Sequence, residues 1–288
     1  GQQFTDFCPL TNLIPTRAVM RWPDADDEWH SFQQHYAITS PFCGDCCKGS
    51  AVRPLFEEID YQQTTIGPIS LRRRRELRLD VDVMEIILGD EHLMSDLFTT
   101  SEIALAHEGL GVVRHQGPLS VVVGGLGMGF TADAALGDHR VAHMLVVEKL
   151  APVISWHKDG LIPLGKTLSQ NPSVRFVEGD FFAMADSEWG FDPDKDGQKF
   201  DAILLDIDHS PDFHLAPSHQ GFYQQSGLAK LKRHLRPNGV FALWSNDPPD
   251  RVFVERLKSV FQHAEAVEIV FHNPLQDRAF TQSIYLAH

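Results

Sequence analysis

The sequence is short of basic residues, and it contains no long apolar run. It has 25 Lys and Arg against 39 Asp and Glu, a formal net charge of −14 at pH 7. A protein that binds duplex DNA or RNA normally spreads basic charge over its docking face, so this balance argues against a nucleic-acid partner. No apolar stretch approaches the ~20 residues of a bilayer span. The first ten residues, GQQFTDFCPL, lack the layout of a signal peptide. We therefore expect a soluble, cytoplasmic protein with no membrane partner.

Cysteine is also scarce: all four cysteines lie in the first fifth of the chain, three of them in PFCGDCCKGS, residues 41–50. Without a secretion signal, a disulfide framework is the weaker interpretation. Cys43 and Cys46 have the C-x-x-C spacing of a zinc knuckle, but a second knuckle is missing. Reduced thiols are thus favoured, with zinc at Cys43 and Cys46 as the alternative. Residues 1–50 lack a sustained period and are interpreted as an irregular extension.

Strand-like runs replace this irregular pattern from about residue 57. A Gly-Pro turn interrupts the first run, and residues 77–88 alternate apolar with charged side chains, as half-buried strands do. We predict a small antiparallel β-hairpin domain which, with a linking helix at residues 101–110, spans residues 51–110. Four consecutive arginines, residues 72–75, are expected between its strands as a solvated edge or turn.

From Leu119 onward, buried strand-like runs alternate with helical segments, within a domain of residues 111–288. This alternation predicts an α/β fold with a doubly wound parallel sheet. In such a sheet, ligands bind at the carboxyl ends of the strands. The residues directly after each strand are therefore the first candidates for a functional site.

Glycines follow the first strand of this domain, in GGLGMG, residues 124–129. Gly125, Gly127 and Gly129 fit the G-x-G-x-G pattern of S-adenosylmethionine enzymes. Gly127, Gly129 and Ala132 equally fit the G-x-G-x-x-A pattern of a dinucleotide fold. The second strand ends at Glu148, whose carboxylate can accept ribose hydroxyls of either cofactor. These residues indicate an adenosine ligand without choosing between the two cofactors.

The third strand favours S-adenosylmethionine. Asp180 stands at its end and Phe181 follows, an arrangement suited to an acid that reaches the adenine amino group and an aromatic ring that covers the base. The alternative is a helix N-cap aspartate followed by core phenylalanines. The even spacing of the glycines, Glu148 and Asp180 favours S-adenosylmethionine over NAD.

Asp206 ends the fourth strand, in FDAILLDIDHSP, and Asp208 and His209 follow it. An acid at this position can orient an amine or hydroxyl nucleophile and take its proton, with Asp208 or His209 assisting. A strand-end aspartate that caps a turn is the alternative. Tyr223 is a candidate residue of the acceptor pocket, although an aromatic residue at a helix start is more often part of the core.

Asn246 and Asp247 follow the fifth strand. We expect them to converge with Asp206 and Asp208 at neighbouring strand ends, and they are candidate substrate contacts. Hard oxygen ligands of this kind suit Mg²⁺, which would acidify a substrate hydroxyl. The magnesium site is the minority interpretation of this group.

The chain resembles the spermidine synthase-like proteins from about residue 59 to its end. The resemblance lies in GGLGMG, VEKLAPVI, VEGDFF, FDAILLDIDHSP and FYQQSGLAKLKRHLRPNGVFALWS. It implies a small β domain before a methyltransferase-like Rossmann sheet, and a homodimer. True synthases move an aminopropyl group from decarboxylated S-adenosylmethionine to a diamine. By this resemblance Asp206 is the catalytic acid, Glu148 binds ribose and Asp180 binds adenine.

The departures from the family pattern point away from a diamine enzyme. Gly127 stands where true synthases have an aspartate that holds the free amine of the cofactor. Without that aspartate, the carboxylate of an intact methionine group would not be repelled. The signature Asp-Ser-Ser-Asp-Pro is replaced by DIDHS at residues 206–210. We therefore expect intact S-adenosylmethionine and methyl transfer to an amine or hydroxyl of a small molecule. Aminopropyl transfer to a diamine is the close alternative, and a non-catalytic, nucleoside-binding oligomer is a further one.

Overall fold

A computed structural model describes residues 54–288 of the chain. The segment 1–50, including Cys43 and Cys46 and the zinc interpretation attached to them, lies outside the described residues. Within residues 54–288, no helix is long and apolar enough to cross a membrane.

The first sheet consists of four antiparallel strands that follow one another in sequence order. Their bounds are β1 (Phe56–Thr64), β2 (Gly67–Glu76), β3 (Val81–Leu88) and β4 (Glu91–Ser95). The predicted antiparallel hairpin is thus extended to a four-stranded meander. One face of the sheet buries Ile69, Leu71 and Ile86 in the main hydrophobic core, so the sheet packs onto the rest of the molecule.

The four arginines lie inside β2 rather than between strands, which corrects the expected turn. In the middle of the sheet they face acidic residues of neighbouring strands: Arg73 pairs with Glu57, and Arg74 Nε lies 2.6 Å from Glu85 Oε1. Cross-strand ion pairs of this kind help a charged run to occupy a central strand, because positive charges meet opposite ones. Arg72 instead donates to Ser70 Oγ over 2.9 Å. A run of like charges alone does not reveal such partners.

The second sheet contains seven strands in the order β10-β11-β9-β8-β5-β6-β7. The strands are β5 (Leu119–Gly124), β6 (Val141–Glu148), β7 (Val174–Glu178), β8 (Phe200–Leu205), β9 (Leu235–Ser245), β10 (Ala264–Asn273) and β11 (Arg278–Ala287). The helices are α1 (Thr100–Gly111), α2 (Phe130–Leu136), α3 (Ala151–Asp159), α4 (Gly165–Ser169), α5 (Phe181–Asp186), α6 (Gln225–Lys232) and α7 (Arg251–Lys258), with a 3₁₀ turn at Pro217–Gly221.

Strands β5 to β9 are parallel, and β11 runs antiparallel to both β9 and β10. The predicted α/β class, a doubly wound Rossmann-like sheet preceded by a small antiparallel β sheet, is confirmed. The antiparallel edge makes the large sheet mixed. From β5 the chain winds outward through β6 and β7, then returns to the other side of β5 with β8. This reversal leaves a crevice at the carboxyl ends of β5 and β8, where ligands of such sheets bind.

The two sheets are joined by specific polar contacts besides the apolar core. Trp156 Nε1 on α3 donates to Asp60 Oδ2 on β1 over 2.6 Å. A second link joins the Arg78 guanidinium to the backbone carbonyl of Leu275. These contacts hold the four-stranded sheet over the same end of the large sheet at which the crevice opens.

Arg140 closes the carboxyl end of α1, whose last turn contains no basic residue. Its guanidinium donates to the backbone oxygens of Leu110 (2.9 Å) and Val113 (3.1 Å) and pairs with Asp138 at 2.6 Å. Carbonyl groups at a helix end lack partners within the helix, so this largely buried arginine satisfies groups that are otherwise unpaired.

Replacing Arg140 with Ala is expected to lower the free energy of unfolding by about 2 kcal/mol, because several hydrogen bonds to a charged group are lost at once. Urea denaturation followed by circular dichroism measures the change. Arg251→Ala, at an exposed arginine of α7, is the control and should change stability by less than about 0.5 kcal/mol. Equal losses in the two variants would contradict the role of Arg140 in closing α1.

Candidate functional site

A cavity of about 380 Å³ lies at the carboxyl ends of β5 to β8, under the four-stranded sheet. It is lined on one side by the glycine turn and by strand-end acids, and on the other by apolar side chains of β3 and β4. Its lining includes Ile66, Leu88, Glu91, Leu93, Met94, Glu102, Gly125, Gly127, Gly129, Glu148, Lys149, Asp180, Phe181, Phe182, Asp206, His209, Phe213 and Leu215.

The glycine turn after β5 needs glycine for two separate reasons. Gly125 has φ of +94°, and a Cβ there would collide with the backbone oxygen of Asp206. Gly127 has φ of +46°, and a Cβ there would meet the sulfur of Met94. The Met94 sulfur also accepts a hydrogen bond from the Met128 amide over 3.0 Å. The thioether of Met94 therefore occupies the space next to Gly127, a contact that the sequence did not reveal.

Glu148 ends β6, and its carboxylate is buried at the wall of the cavity. Oε2 accepts from the Leu126 amide (3.0 Å) and Oε1 from the Leu150 amide (2.8 Å). Burial raises the pKa of Glu148, and these backbone amides oppose the rise. Each oxygen keeps a lone pair, so the carboxylate can still accept hydrogen bonds from a ligand hydroxyl.

Asp180 caps a helix and also faces the cavity. Its Oδ1 caps α5 by accepting from the amides of Phe182 and Ala183, and the residue also lines the cavity. Lys149 Nζ donates to its Oδ2 over 2.8 Å. Burial raises the pKa of Asp180, but the hydrogen bond and charge of Lys149 together with the amides of Phe182 and Ala183 outweigh this effect and leave the pKa below its usual value. Asp180 is therefore ionised at neutral pH.

Phe181 lies largely in the core behind the cavity. Only 2% of it is exposed, and its ring stacks on Phe191 with centroids 4.9 Å apart. Its neighbour Phe182 also lines the cavity, and this ring stacks on His219 at 3.8 Å. The aromatic wall expected from Phe181 is thus shared by two residues, with Phe181 mainly supporting the core.

Asp206, at the end of β8, lies beside a second carboxyl group that the sequence analysis missed. Glu102, in the first turn of α1, lines the same cavity, and its Oε2 accepts from Ser101 Oγ over 2.8 Å. Thr131 Oγ1 lies 2.7 Å from Asp206 Oδ2 and 3.3 Å from the Glu102 backbone oxygen. No motif marks Glu102, because an acid in the first turn of a helix is ordinarily a solvated, dipole-stabilising residue.

The two carboxyl groups have elevated pKa values. Burial raises the pKa of Asp206 to about 6, with the Thr131 hydrogen bond opposing the rise. Burial, followed by the neighbouring charge of Asp206, raises the pKa of Glu102 to about 8. Near neutral pH the pair therefore keeps about one proton, mainly on Glu102, and carries about one negative charge.

Asp208 and Tyr223 lie outside the cavity lining. The Asp208 carboxylate, 1% exposed, accepts from Tyr223 Oη at 2.9 Å, His219 Nδ1 at 2.8 Å and the Leu215 amide at 2.8 Å. Burial and the Asp208 charge raise the pKa of Tyr223 well above its usual value. This network ties together the loop after β8 and directs both side chains away from the crevice.

His209 does line the cavity, near its rim. Its Nε2 lies 2.9 Å from Glu91 Oε1 on β4, and its ring stacks on Phe213 at 5.0 Å. The loop after β8 is thereby connected to the four-stranded sheet. His209 therefore connects two walls of the site.

Asn246 and Asp247 are not among the cavity-lining residues. Asn246 Oδ1 accepts from Gln282 Nε2 over 2.8 Å, and the Asp247 carbonyl accepts from Ser283. The two strand ends do meet, since the Asn246 amide donates to the His209 carbonyl over 2.7 Å, but the side chain of Asn246 is bonded to β11 and that of Asp208 to its own loop instead of joining Asp206. Within the described residues, no three His, Cys, Asp or Glu side chains are grouped to hold a metal ion, so the magnesium interpretation has no support there.

The fold and the cavity together define a class of protein: a Rossmann-like sheet with a small antiparallel sheet in front of its ligand-binding edge. Comparison with solved structures finds this architecture in spermidine synthases. One, in complex with the transition-state analogue AdoDATO, matches with a TM-score of 0.61 and 17% identity over 80% of this chain and 73% of that chain. The spermidine synthase from Thermotoga maritima matches with a TM-score of 0.60 and 16% identity over 80% and 72%.

No protein-family model and no curated protein matches the sequence. The chain therefore has the spermidine synthase-like fold, and the resemblance inferred from its motifs is confirmed at the level of structure. At 16–17% identity this likeness concerns the fold and does not extend to the reaction.

The carboxyl pair is expected to make stability depend on pH. The pKa of Glu102 rises from 4.5 to about 8 on folding, so over that interval the folded chain binds more protons than the unfolded chain. Stability then falls as pH rises between these values. Glu102→Gln should flatten the fall between about pH 5 and pH 8 by at least about 1 kcal/mol, since a pKa unit is worth about 1.4 kcal/mol.

Urea midpoints measured across this pH range test the expectation. Glu108→Gln, six residues further along α1 and outside the cavity lining, is the matched control and should keep the slope of the unsubstituted protein. An unchanged slope in Glu102→Gln would show that Glu102 does not titrate abnormally.

Proposed function

We propose that this protein is a group transferase that uses an S-adenosylmethionine-type cofactor, with methyl transfer to an amine or hydroxyl as the reaction. One observation carries the proposal: a single cavity, at the point where the strand order of the large sheet reverses, is lined by the glycine turn, Glu148, Asp180 and Asp206. Carboxylates at the ends of β6 and β7 match the hydrogen-bond donors of an adenosine group, the ribose hydroxyls and the adenine amine, and the carboxylate at the end of β8 is left for the acceptor.

The residues present fit an adenosyl cofactor. Gly125 lets the turn after β5 pass directly against the Asp206 backbone, and Glu148 retains free lone pairs next to this turn. Glu148 would hold the ribose, and Asp180 the adenine, with Phe181 and Phe182 against the base. When bound, the cofactor supplies a sulfonium whose attached carbons are open to nucleophilic attack.

Asp206 would receive the proton of the acceptor. Thr131 orients one of its oxygens, and the other can face an amine or hydroxyl. A carboxylate with a pKa of about 6 is ionised at neutral pH yet more basic than an ordinary aspartate, which suits a general base. Because Glu102 is protonated, it does not repel the Asp206 carboxylate as a second negative charge would. Asp208 is then a positioning residue: it holds the loop that carries His209, rather than touching the acceptor.

Intact S-adenosylmethionine is favoured over its decarboxylated form by the contact between Gly127 and Met94. By the family resemblance, true synthases have a carboxylate at the position of Gly127, where it holds the free amine. Here the thioether of Met94 fills that space and provides no negative charge. Both cofactor forms carry an ammonium group on this arm, but only the intact form also carries a carboxylate beside it. In the decarboxylated form the ammonium would lose solvation without gaining an ionic partner.

Aminopropyl transfer is the second candidate. It is supported by the fold shared with a spermidine synthase solved with AdoDATO. Both reactions would use the same cavity and differ in which carbon next to the sulfur is attacked. A non-catalytic nucleoside-binding role leaves the carboxyl pair unused and is less supported. A homodimer remains a prediction from the family resemblance.

Calorimetric titration with S-adenosylmethionine tests cofactor binding. Glu148→Gln is expected to weaken the affinity about tenfold or more, because an amide cannot accept two ribose hydroxyls as a carboxylate does. Glu178→Gln, an exposed acid at the end of β7 outside the cavity lining, is the matched control and should bind normally. Failure of the unsubstituted protein to bind any adenosyl compound would overturn the proposed function.

The preference between intact and decarboxylated S-adenosylmethionine is tested by placing an aspartate at position 127, where the family resemblance puts one in true synthases. Gly127→Asp combined with Met94→Ala should raise the affinity for decarboxylated S-adenosylmethionine, relative to the intact form, about tenfold or more. The Met94 truncation provides space, and aspartate tolerates the left-handed backbone at this position. Met94→Ala alone is the control. A preference of the unsubstituted protein for the decarboxylated form would favour aminopropyl transfer instead.

A further inference from the structure

We propose that the acceptor is a predominantly apolar molecule with a single amine or hydroxyl group, and not a diamine. This inference rests on the proposed function, because it names the acceptor class for the same cavity. It is carried by two independent observations: the carboxylates that line the cavity already have partners, and the mouth of the cavity is apolar.

The cavity lining contains five carboxylates, three of which are engaged by the protein itself. Asp180 is paired with Lys149 at 2.8 Å, and Glu148 accepts from two backbone amides. Glu91, at the rim, lies 2.9 Å from His209 Nε2. The remaining two, Glu102 and Asp206, act as one pair that holds about one negative charge near neutral pH.

One cationic or neutral amine can be accommodated at this pair, where Asp206 accepts a hydrogen bond from it. A second ammonium at the far end of a diamine would lie against the apolar side chains of β3 and β4, Leu88, Leu93 and Met94. Removing a charge from water without an ionic partner costs free energy. The acid nearest to the mouth is Glu91, which is half exposed at the rim and already contacts His209 through Oε1, so a second ammonium there would compete with His209 and with water.

The mouth of the cavity includes, beside Glu91 and His209 at its rim, a group of large apolar side chains that face solvent. Ile66 is 50% exposed, Phe213 61% and Leu215 38%, and all three line the cavity. Single exposed apolar residues are common, but a group of them around a concave site marks a binding surface. These three residues come from the β1–β2 turn and from the loop after β8, so an apolar acceptor body would contact both walls.

Paired series of amines test the acceptor class. Butylamine, hexylamine and octylamine are titrated calorimetrically into the protein, alongside the terminal diamines of four, six and eight carbons. We expect affinity for the monoamines to rise with length, by up to about fourfold for each fully buried methylene. Each diamine should bind at least about tenfold more weakly than the monoamine of the same length.

Variants at the mouth connect this effect to the structure. Phe213→Ser and Leu215→Asn should reduce the gain in affinity with chain length. Trp189→Ser, which removes an aromatic residue that is 67% exposed and outside the cavity lining, should leave it unchanged. Binding of S-adenosylmethionine should be unaffected in the mouth variants, because the residues assigned to the cofactor lie at the ends of β5, β6 and β7.

The proposal is overturned if the diamines bind as tightly as the monoamines, or if chain length has no effect. A diamine preference that disappears in Glu91→Gln would assign the second ammonium to Glu91. Failure of this inference is distinguishable from failure of the proposed function. Cofactor binding without a preference for monoamines rejects the acceptor class alone. A length-dependent monoamine series without cofactor binding rejects the transferase and keeps the apolar pocket.

Discussion

Two carboxyl groups, Glu102 and Asp206, lie half-buried beside each other at the wall of the cavity, and the surrounding elements hold them there. Burying both as anions would be costly, so the pair keeps a proton, and Ser101 and Thr131 donate to its oxygens. The arrangement requires α1 to lie close to the large sheet. Gly109 on α1 permits this, because a Cβ there would press on Leu204 of β8 and Ala242 of β9. The carboxyl pair therefore depends on the close packing of α1 against the large sheet.

The loop after β8 shows how a polar residue can serve a site without facing it. Asp208 satisfies its carboxylate within the loop, through Tyr223, His219 and the Leu215 amide. This leaves the neighbouring positions free to face the crevice: Asp206 at its wall and His209 at its rim. The same loop carries Phe213 and Leu215 to the mouth, so its internal network helps to define the apolar character of the entrance.

The fold could be predicted to a large extent from the sequence. Alternating strands and helices from Leu119 onward specify an α/β sheet, because buried parallel strands are uniformly apolar and their ends carry the polar residues. Glu148, Asp180 and Asp206 were found by this rule, and all three line the cavity. The position of the arginines in β2 and the placement of Asn246 and Asp247 were not found, since cross-strand partners are distant in sequence.

The order of the elements, the glycine turn and the acids at the ends of the parallel strands can be read from the chain alone. They depend on local periodicity and on topology, which short-range patterns encode. The contact of Glu102 with Asp206, the position of Met94 beside Gly127 and the turn of Asp208 into its loop appear only in the folded molecule. Such facts depend on contacts between segments far apart in the chain and on which side chains lose water together, and no local pattern specifies either.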